Sequence, residues 1–273
     1  MKNLFLFLFL LAVFTSKAQD NRVCGLNSRQ FTKYWKVESE SPDYKVTFQG
    51  DTAEIVSPKG LTLWRKEKMS GKVTIEYDAC VVVESDGDRL SDLNCFWMAS
   101  DPQYPDNLWK REKWRSGIFL NCYSLQLYYL GYGGNHNSTT RFRRYDGDES
   151  GITNPKARPA ILKEYTDAGH LLKPNHWYHI KITNENNRVS YYIDGERLVD
   201  FRDAEPLREG WFGFRTTLSH TRITNFSYEC SSQEATAVPL QWIGETLRQD
   251  KAVSFGVPFD KGEVFPENKL RLS

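Results

Sequence analysis

Residues 121–148, NCYSLQLYYLGYGGNHNSTTRFRRYDGD, have the pattern of a β-hairpin. Residues 124–129 alternate between two sets of side chains, which predicts a strand that presents one set on each face of a sheet. The glycine-rich segment 131–134 interrupts this strand, because glycine tolerates positive φ and lets other groups approach the backbone closely. A second run from 139 to 145 is rich in arginine and predicts the returning strand.

The hairpin concentrates polar chemistry that a buried core does not need. It carries Tyr132, His136, Arg141 and Arg143 close to flexible backbone, together with the amide of Asn135. Tyrosine, histidine, amide and guanidinium groups together favour a site for a polyhydroxylated ligand that bears a carboxylate. The alternative is a surface hairpin with a solvated arginine face, since runs of charge are often only solvated.

The N-terminus has the pattern of a secretory signal over residues 1–18. Lys2 supplies the positive charge of the N-terminal region, and residues 4–14 form the apolar region. Small residues precede the expected cleavage after Ala18. The apolar run is too short to cross a bilayer. We therefore expect an exported protein, periplasmic or secreted, without a membrane partner.

Composition excludes some classes of partner. The chain has 36 basic and 35 acidic residues and a net charge of +1, so it lacks the basic excess of nucleic-acid-binding proteins. Aromatic residues make up 14% of the sequence. Such rings pack in cores, and in exported β-proteins they also contact the faces of sugars.

Five cysteines are present, at positions 24, 80, 95, 122 and 230. Export permits disulfides, but the odd count leaves one thiol over and the sequence does not fix the pairing. Cys24 and Cys230 bracket the main domain, which makes them one candidate pair. The other three lie in strand-like segments and are expected to be small buried side chains.

Short apolar runs separated by turn residues recur from about residue 34 to residue 228, and convincing long helices are missing from the pattern. Examples are the strands predicted at 73–77 and 93–98, and a hairpin signature at 184–187. About a dozen such strands predict an all-β sandwich of antiparallel sheets over residues 20–230.

Four segments, residues 89–99, 128–135, 139–145 and 209–216, resemble a β-sandwich domain of unassigned function found in secreted glycan-degradation proteins of the Bacteroidetes type. The resemblance covers about residues 35–230. That family is distantly similar to concanavalin-like jelly rolls, including 3-keto-disaccharide hydrolases. The resemblance implies a concanavalin-like jelly roll and a carbohydrate context.

The sequence changes character after Cys230. Residues 231–236 have the composition of a linker, and the remainder to residue 273 resembles the start of the barrel domain of rhamnogalacturonan-lyase-like and YetA-like proteins. This segment is too short to bury a core of its own. It is either the remnant of a longer lyase or a segment that packs on the sandwich.

β-Elimination at a uronic acid matches the residue types of the hairpin. An arginine, amide or histidine neutralises the carboxylate, a tyrosine or histidine removes the proton, and a tyrosine or water protonates the leaving oxygen. The predicted catalytic residues are Tyr132, His136, Arg141 and Arg143. The predicted substrate-binding residues are Asn94, Trp97, Tyr128, Asn135, Arg215 and His220.

The expected function is therefore a lyase or dehydratase acting on an anionic plant or algal glycan. Two alternatives stay open: a glycan-binding accessory module of a larger lyase, and a relative of the 3-keto-glycoside hydrolases. No cofactor or metal is predicted. A structural Ca²⁺ at Ser85-Asp86-Gly87-Asp88 was weighed, but a plain turn is favoured because calcium needs six or more oxygen ligands.

Overall fold

Sixteen strands lie within residues 23–231, the part of the chain that the computed structural model describes. In chain order they are β1 (Val23–Cys24), β2 (Trp35–Ser39), β3 (Lys45–Gln49), β4 (Thr52–Ser57), β5 (Leu61–Arg65), β6 (Met69–Ser70), β7 (Lys72–Val81), β8 (Leu93–Ser100), β9 (Gln126–Gly133), β10 (Thr139–Asp146), β11 (Lys163–Tyr165), β12 (Tyr178–Glu185), β13 (Arg188–Ile193), β14 (Glu196–Arg202), β15 (Glu209–Thr216) and β16 (Ser219–Ser231). Helical segments are of five residues or fewer: Phe31–Tyr34, Leu108–Arg111, Glu112–Arg115, Leu120–Ser124, Gly134–Asn137, Ser150–Thr153, Pro155–Ala157 and Ala168–His170.

The strands form two antiparallel sheets that pack face to face. The front sheet has the order β11-β10-β9-β8-β15-β5-β2, with β6 paired to β15. The back sheet has the order β14-β13-β12-β7-β16-β4-β3, with β1 paired to β16. The predicted all-β sandwich of antiparallel sheets is confirmed.

The main core lies between the two sheets and follows from strand periodicity. In β7 the residues Val73, Ile75 and Tyr77 are buried, while the residues between them are partly exposed. A side chain at every second position therefore faces the front sheet. Trp97 and Tyr128 of the front sheet pack into the same core. The ring centroids of Trp97 and Tyr128 lie 5.7 Å apart.

A second apolar cluster lies on the outer side of the front sheet. Residues 101–125, which we call the covering segment, fold over this side and contain three of the short helical turns. Beneath them Trp64, Phe96 and Tyr129 are buried in one cluster. Part of the front sheet is thus buried on both faces, which is why every residue of β5 is buried.

The cysteines form no disulfide among the side chains that the structure describes. Cys80, Cys95, Cys122 and Cys230 carry free thiols. The register of β1 against β16 places Cys24 opposite Ser227. Cys230 is three residues further along the strand, roughly 10 Å away, whereas a disulfide needs Cα atoms within about 7 Å. The suggested Cys24–Cys230 pair therefore does not fit this register.

Two predictions concern residues outside the described part of the chain. They are the signal over residues 1–18 and the linker and barrel-like segment, of which only Ser231 is described. Within residues 23–231, no helix is long and apolar enough to span a membrane.

Candidate functional site

A row of register partners crosses the front sheet on its outer side. Partners on neighbouring antiparallel strands point to the same face of a sheet, so their side chains lie next to one another. The row runs Glu38, Thr62, Arg215, Asn94, Gly131, Arg141 and Glu164, from β2 across the sheet to β11. In the middle of the row, Gly131 separates Arg215 and the amide of Asn94 on one side from Arg141 on the other.

An adjacent row on the same side is mainly aromatic. Phe96 on β8 is the register partner of Tyr129 on β9, and Tyr129 is the partner of Arg143 on β10. The ring of Tyr129 leans over Gly131, because a Cβ atom at Gly131 would lie 2.3 Å from the tyrosine hydroxyl oxygen. Gly131 therefore lets the Tyr129 hydroxyl reach the polar row. We call Asn94, Tyr129, Arg141, Arg143 and Arg215 the arginine face.

The covering segment forms one wall of the arginine face. The ring of Phe119 packs edge-on against Tyr129, with 5.7 Å between the ring centroids. The guanidinium of Arg215 lies over the same phenylalanine, 5.6 Å from its ring centroid. Arg215 also donates a hydrogen bond to the carbonyl of Gly117. These contacts fix the arginine between an aromatic ring and the sheet.

Two of the three arginines on this face form no direct ion pair. Arg215 is only 3% exposed, and its hydrogen bonds go to the carbonyl of Gly117 and the hydroxyl of Thr62. Glu40 lies nearby, since its Oε1 atom and Nη2 of Arg215 are 2.1 and 2.5 Å from the point where Gly60 would carry a Cβ atom. Arg143 donates to the carbonyl of Pro159, and no carboxylate among residues 23–231 forms an ion pair with it. Arg141 differs, because its Nε lies 2.5 Å from the carboxylate of Glu164.

Asn94 adds an unused acceptor to the same face. The residue is 8% exposed, and its amide nitrogen donates to Asp92 at 3.3 Å. Its Oδ1 atom is buried and has no hydrogen-bond partner within the described residues. Asp92 is in turn held by Arg89 at 2.6 Å. A buried amide oxygen without a partner is costly, so a ligand hydroxyl that donates to it would bind favourably.

Tyr129 is a hydrogen-bond donor and not a base at neutral pH. Burial is the main cause that raises the pKa of its phenol, and the negative charge of Asp92 raises it further. The positive charges of Arg215 and Arg143 oppose this shift without cancelling it. The hydroxyl therefore keeps its proton and can donate it to an acceptor on a ligand.

Four of the residues predicted from the sequence meet on the arginine face. Arg141 and Arg143 project from β10, Asn94 from β8 and Arg215 from β15. The hairpin and the strands beside it therefore do bring arginines and an amide together on one face.

Three predicted residues face the core instead, which corrects the expectation that they contact a ligand on this surface. Trp97 and Tyr128 have no exposed surface, and Tyr132 is 2% exposed. The hydroxyl of Tyr128 bonds to Asp203 at 2.7 Å, and that of Tyr132 donates to the carbonyl of Leu171. They occupy alternate strand positions that point between the sheets.

The remaining predicted residues lie elsewhere. Asn135 and His136 are exposed in the turn between β9 and β10, where both have positive φ. His220 lies on the outer side of the back sheet, where its ring bonds to Glu54 at 2.8 Å. The expectation that His220 reaches the same sheet face as the hairpin arginines is therefore wrong. The four predicted catalytic residues are not brought together.

Tyr129 and Phe119 are site residues that the sequence interpretation missed. Tyr129 is not among the site residues predicted from the sequence, and Phe119 lies in a loop without a recognisable motif. The available signal was spacing: Tyr129 and Gly131 occupy alternate positions of one strand and so share a face.

The predicted turn at residues 85–88 is present. The carboxylate of Asp88 accepts hydrogen bonds from the backbone amides of Glu84 and Ser85, at 2.7 and 2.9 Å. This places the Asp88 carboxylate within its own turn. Among residues 23–231, no group of three or more histidine, cysteine, aspartate or glutamate side chains has the arrangement of a metal site.

Two antiparallel sheets with a polar row on the outer side of one sheet define the class of the domain, a jelly-roll β-sandwich of the galectin-like kind. The chain belongs to the DUF6250 family, described as a domain of unknown function, whose profile matches residues 55–226. This agrees with the resemblance to a sandwich domain of unassigned function. A search of the curated proteins finds no match.

Solved structures share the fold at low sequence identity. One is a protein of unknown function with a galectin-like fold from Bacillus subtilis, with 15% identity, a TM-score of 0.57 and coverage of 72% of this chain and 89% of that chain. Another is the exoplasmic/lumenal domain of VIP36 in its Ca²⁺/Man3GlcNAc-bound form, with 10% identity, a TM-score of 0.51 and coverage of 79% and 90%. At these identities the likeness shows the fold alone.

Proposed function

We propose that this protein is a glycan-binding module whose arginine face binds an anionic saccharide that carries carboxylates. The observation that carries the proposal is that Arg143 has no acidic partner within residues 23–231, and that Arg215 on the same face forms no direct ion pair. Buried or partly buried charges are usually paired, so an arginine without a carboxylate is suited to receive one from a ligand. A uronic acid unit supplies such a carboxylate.

The other groups of the face suit the rest of a sugar. The buried oxygen of Asn94 accepts from a hydroxyl, and the hydroxyl of Tyr129 donates to a ring or glycosidic oxygen. The ring of Phe119 offers an apolar surface beside them. The fold is compatible with this function, since a structure with the same fold is described as bound to Man3GlcNAc.

The setting of this module is part of the proposal. Residues 1–18 have the pattern of an export signal, and the exported protein would meet polysaccharides outside the cytoplasm. An anionic plant or algal glycan is the partner that fits the arginine face and the export signal together.

A second candidate function is β-elimination at the bound uronate, by a lyase or a dehydratase. Tyr129 favours it, because its hydroxyl lies near two arginines that would stabilise an enolate-like intermediate. Two observations disfavour it: the raised pKa of Tyr129 makes the phenol a poor base, and Tyr132 and His136 lie away from the arginines. No arrangement in the site favours a 3-keto-glycoside hydrolase.

One experiment separates these functions. The purified protein is titrated with polygalacturonate, alginate and neutral galactan, and binding is followed by calorimetry while absorbance in the unsaturated-uronate band is recorded. We expect binding of a uronate glycan without product. Arg143→Lys and Arg215→Lys should each weaken binding about 10- to 100-fold, because lysine cannot form the two parallel hydrogen bonds of a guanidinium.

Arg141→Lys is the matched control, because Arg141 is already paired with Glu164. It should change affinity less than the other two variants. The melting temperatures of Arg141→Lys and Arg143→Lys should stay close to that of the wild type, whereas Arg215→Lys should melt lower because it loses hydrogen bonds of a buried guanidinium. Equal affinity for neutral and uronate glycans, or unchanged affinity in both key variants, would contradict the proposal. A rise in absorbance would replace it with the elimination function.

A further inference from the structure

A separate cavity lies at the end of the sandwich where β9 finishes and β12 begins. It has a volume of about 150 Å³, and none of its lining residues belongs to the arginine face. One buried water needs only about 10–15 Å³. The end cavity, as we call it, therefore has room for a small organic ligand. Its walls come from four places: Tyr132 on β9, the 169–173 loop, residues 176–178 at the start of β12, and residues 193–198 where β13 turns into β14.

Aromatic rings form much of its apolar wall. The rings of Tyr132 and Tyr178 meet edge to face at 5.1 Å, and the ring of His176 packs against Tyr178 at 4.5 Å. Ile193 and Leu198 add aliphatic surface. The end cavity thus combines ring and aliphatic surface with polar side chains, a combination that suits a sugar ring with its C–H faces and hydroxyls.

Two carboxylates of the end cavity, those of Asp194 and Glu196, are acceptors with spare capacity. Glu196 Oε1 lies 3.2 Å from the ring of His170, and Asp194 Oδ1 accepts from the backbone amide of His179 at 2.8 Å. Asp194 Oδ2 approaches His176 only to 3.8 Å, beyond hydrogen-bonding distance. A carboxylate has about four acceptor positions, so both can still accept hydrogen bonds from a ligand.

We propose that the end cavity is a second ligand site, which binds one neutral, polyhydroxylated ring such as a pyranose. Asp194 and Glu196 accept hydrogen bonds from neighbouring hydroxyls, and Tyr178 and His176 contact the C–H surface of the ring. Lys173 and the ring of His170, which bonds to Glu196, offset part of the charge of the two carboxylates. A ligand carboxylate would still meet Asp194 and Glu196 at the positions that accept hydroxyls, where like charges repel. The two sites would thus select different chemistry: carboxylates at the arginine face and neutral hydroxyls here.

The test uses monosaccharides as probes and the ¹⁵N-labelled protein. Galactose, glucose and rhamnose are the neutral probes, galacturonate is the anionic probe and glucosamine is the cationic probe. We expect a neutral sugar to shift amide signals of residues 169–173 and 193–198. Glu196→Gln and Asp194→Asn should each weaken that binding about 10-fold, since hydrogen bonds to a charged acceptor are the stronger kind.

Glu164→Gln is the control, because this exposed carboxylate lies on the front sheet and not in the end cavity. It should leave binding of the neutral sugar unchanged. Three results would overturn the inference: no shifts with any neutral sugar, equal weakening by the control, or a response to glucosamine alone. Arg143→Lys should not alter the response, so this proposal and the proposed function fail independently.

Discussion

Gly131 and Tyr129 act together on the arginine face. Strand β9 positions both side chains on the outer side of the front sheet, and the missing Cβ of Gly131 leaves the space that the phenol of Tyr129 occupies. The hydroxyl is thereby held beside Asn94, whose strand position is directly opposite Gly131. A single glycine thus determines where a hydrogen-bond donor lies, which a larger residue would prevent.

Gly131→Ala should displace the ring of Tyr129 and weaken uronate binding. The new methyl group would lie 2.8 Å from Cζ of the ring, an atom that cannot move without the whole side chain. Such overpacking costs about 1–3 kcal/mol of unfolding free energy. Calorimetry with polygalacturonate and urea denaturation measure the two effects.

Gly87→Ala provides the comparison, because the nearest atom to its added methyl group would be 3.9 Å away. That variant should bind and unfold like the wild type. Wild-type affinity in Gly131→Ala would show that the position of Tyr129 does not matter for binding.

At the scale of elements, the covering segment is fixed to the front sheet by buried charges. Arg115 is completely buried, donates to Glu38 at 3.0 Å and to the carbonyl of Leu108 at 2.6 Å, and lies 3.8 Å from Asp101. Burial raises the pKa of Glu38, although Arg115 opposes that shift. These charges hold in place the segment that supplies Phe119 to the arginine face.

Arg115→Met should therefore destabilise the protein strongly. Removing Arg115 leaves the buried carboxylate of Glu38 without its direct partner, which costs about 3–5 kcal/mol, whereas Asp101 keeps its ion pair with Arg111 at 3.0 Å. For a domain of this size each kcal/mol lowers the melting temperature by about 2–4 °C. Thermal melting and limited proteolysis of residues 101–125 measure the loss, and adding Glu38→Gln should recover part of it.

The matched control is Arg222→Met. Arg222 also pairs with a glutamate, Glu54, but both side chains are partly exposed on the back sheet. Exposed pairs contribute up to about 1 kcal/mol, so this variant should melt close to the wild type. Similar losses in the two variants would contradict a special role for the buried pair.

The loop next to the end cavity carries a pH-sensitive contact. Desolvation lowers the pKa of His170, but hydrogen bonds to Asp167 and Glu196 raise it more, so the net pKa lies above 6.5. The hydrogen bond from His170 also lowers the pKa of Asp167 below 3.8. Both shifts favour the charged pair in the folded state.

We expect the loop to be most stable between about pH 4 and pH 6.5. The histidine contribution is complete below 6.5 and is lost as the pH rises through the folded pKa. The aspartate contribution is present above 3.8 and is lost as the pH falls through its folded pKa. Hydrogen exchange of the Leu172 amide, corrected for intrinsic rates, should therefore show protection that declines toward pH 8.

His170→Gln should remove this decline, whereas His220→Gln on the back sheet should keep it. Protection that stays constant from pH 5 to pH 8 in the wild type would rule out the contribution of His170.

At the scale of the whole molecule, the outer faces of the two sheets differ in whether their charged side chains form ion pairs. The back sheet pairs its charges across strands, as in Lys181–Glu76, His179–Asp78 and Arg188–Asp200. That arrangement is typical of a solvated surface. The front sheet instead presents Arg143 without an acidic partner among residues 23–231 and Arg215 without a direct ion pair, which is why the proposed function belongs to the front sheet.

A chain that ends after Ser231 should fold by itself. The expectation rests on the two apolar clusters, whose buried members described by the structure all lie within residues 26–228. Circular dichroism should show a sheet-dominated spectrum and cooperative melting at a temperature close to that of the full chain. Loss of cooperative melting would indicate that the tail packs on the sandwich.

The sequence by itself determined the β-sandwich and several members of the site. Alternation and turn residues predicted the antiparallel strands, because burial on one face imposes a period of two. The residue types of Arg141, Arg143 and Asn94 indicated a polar site on neighbouring strands. The fold prediction is confirmed, and the polar site stays a prediction whose members Arg141, Arg143 and Asn94 lie on one face; both inferences depend on local spacing and on side-chain chemistry.

Only the tertiary structure decided which tyrosine shares a face with the arginines. The turn pairs Gly134 with Thr139, and a regular ladder from there would place Arg143 opposite Leu130, on the face of Tyr132 and Tyr128. The ladder instead pairs Arg143 with Tyr129, so it shifts by one residue near the turn. A one-residue shift moves every side chain to the other face, and sequence spacing does not reveal it.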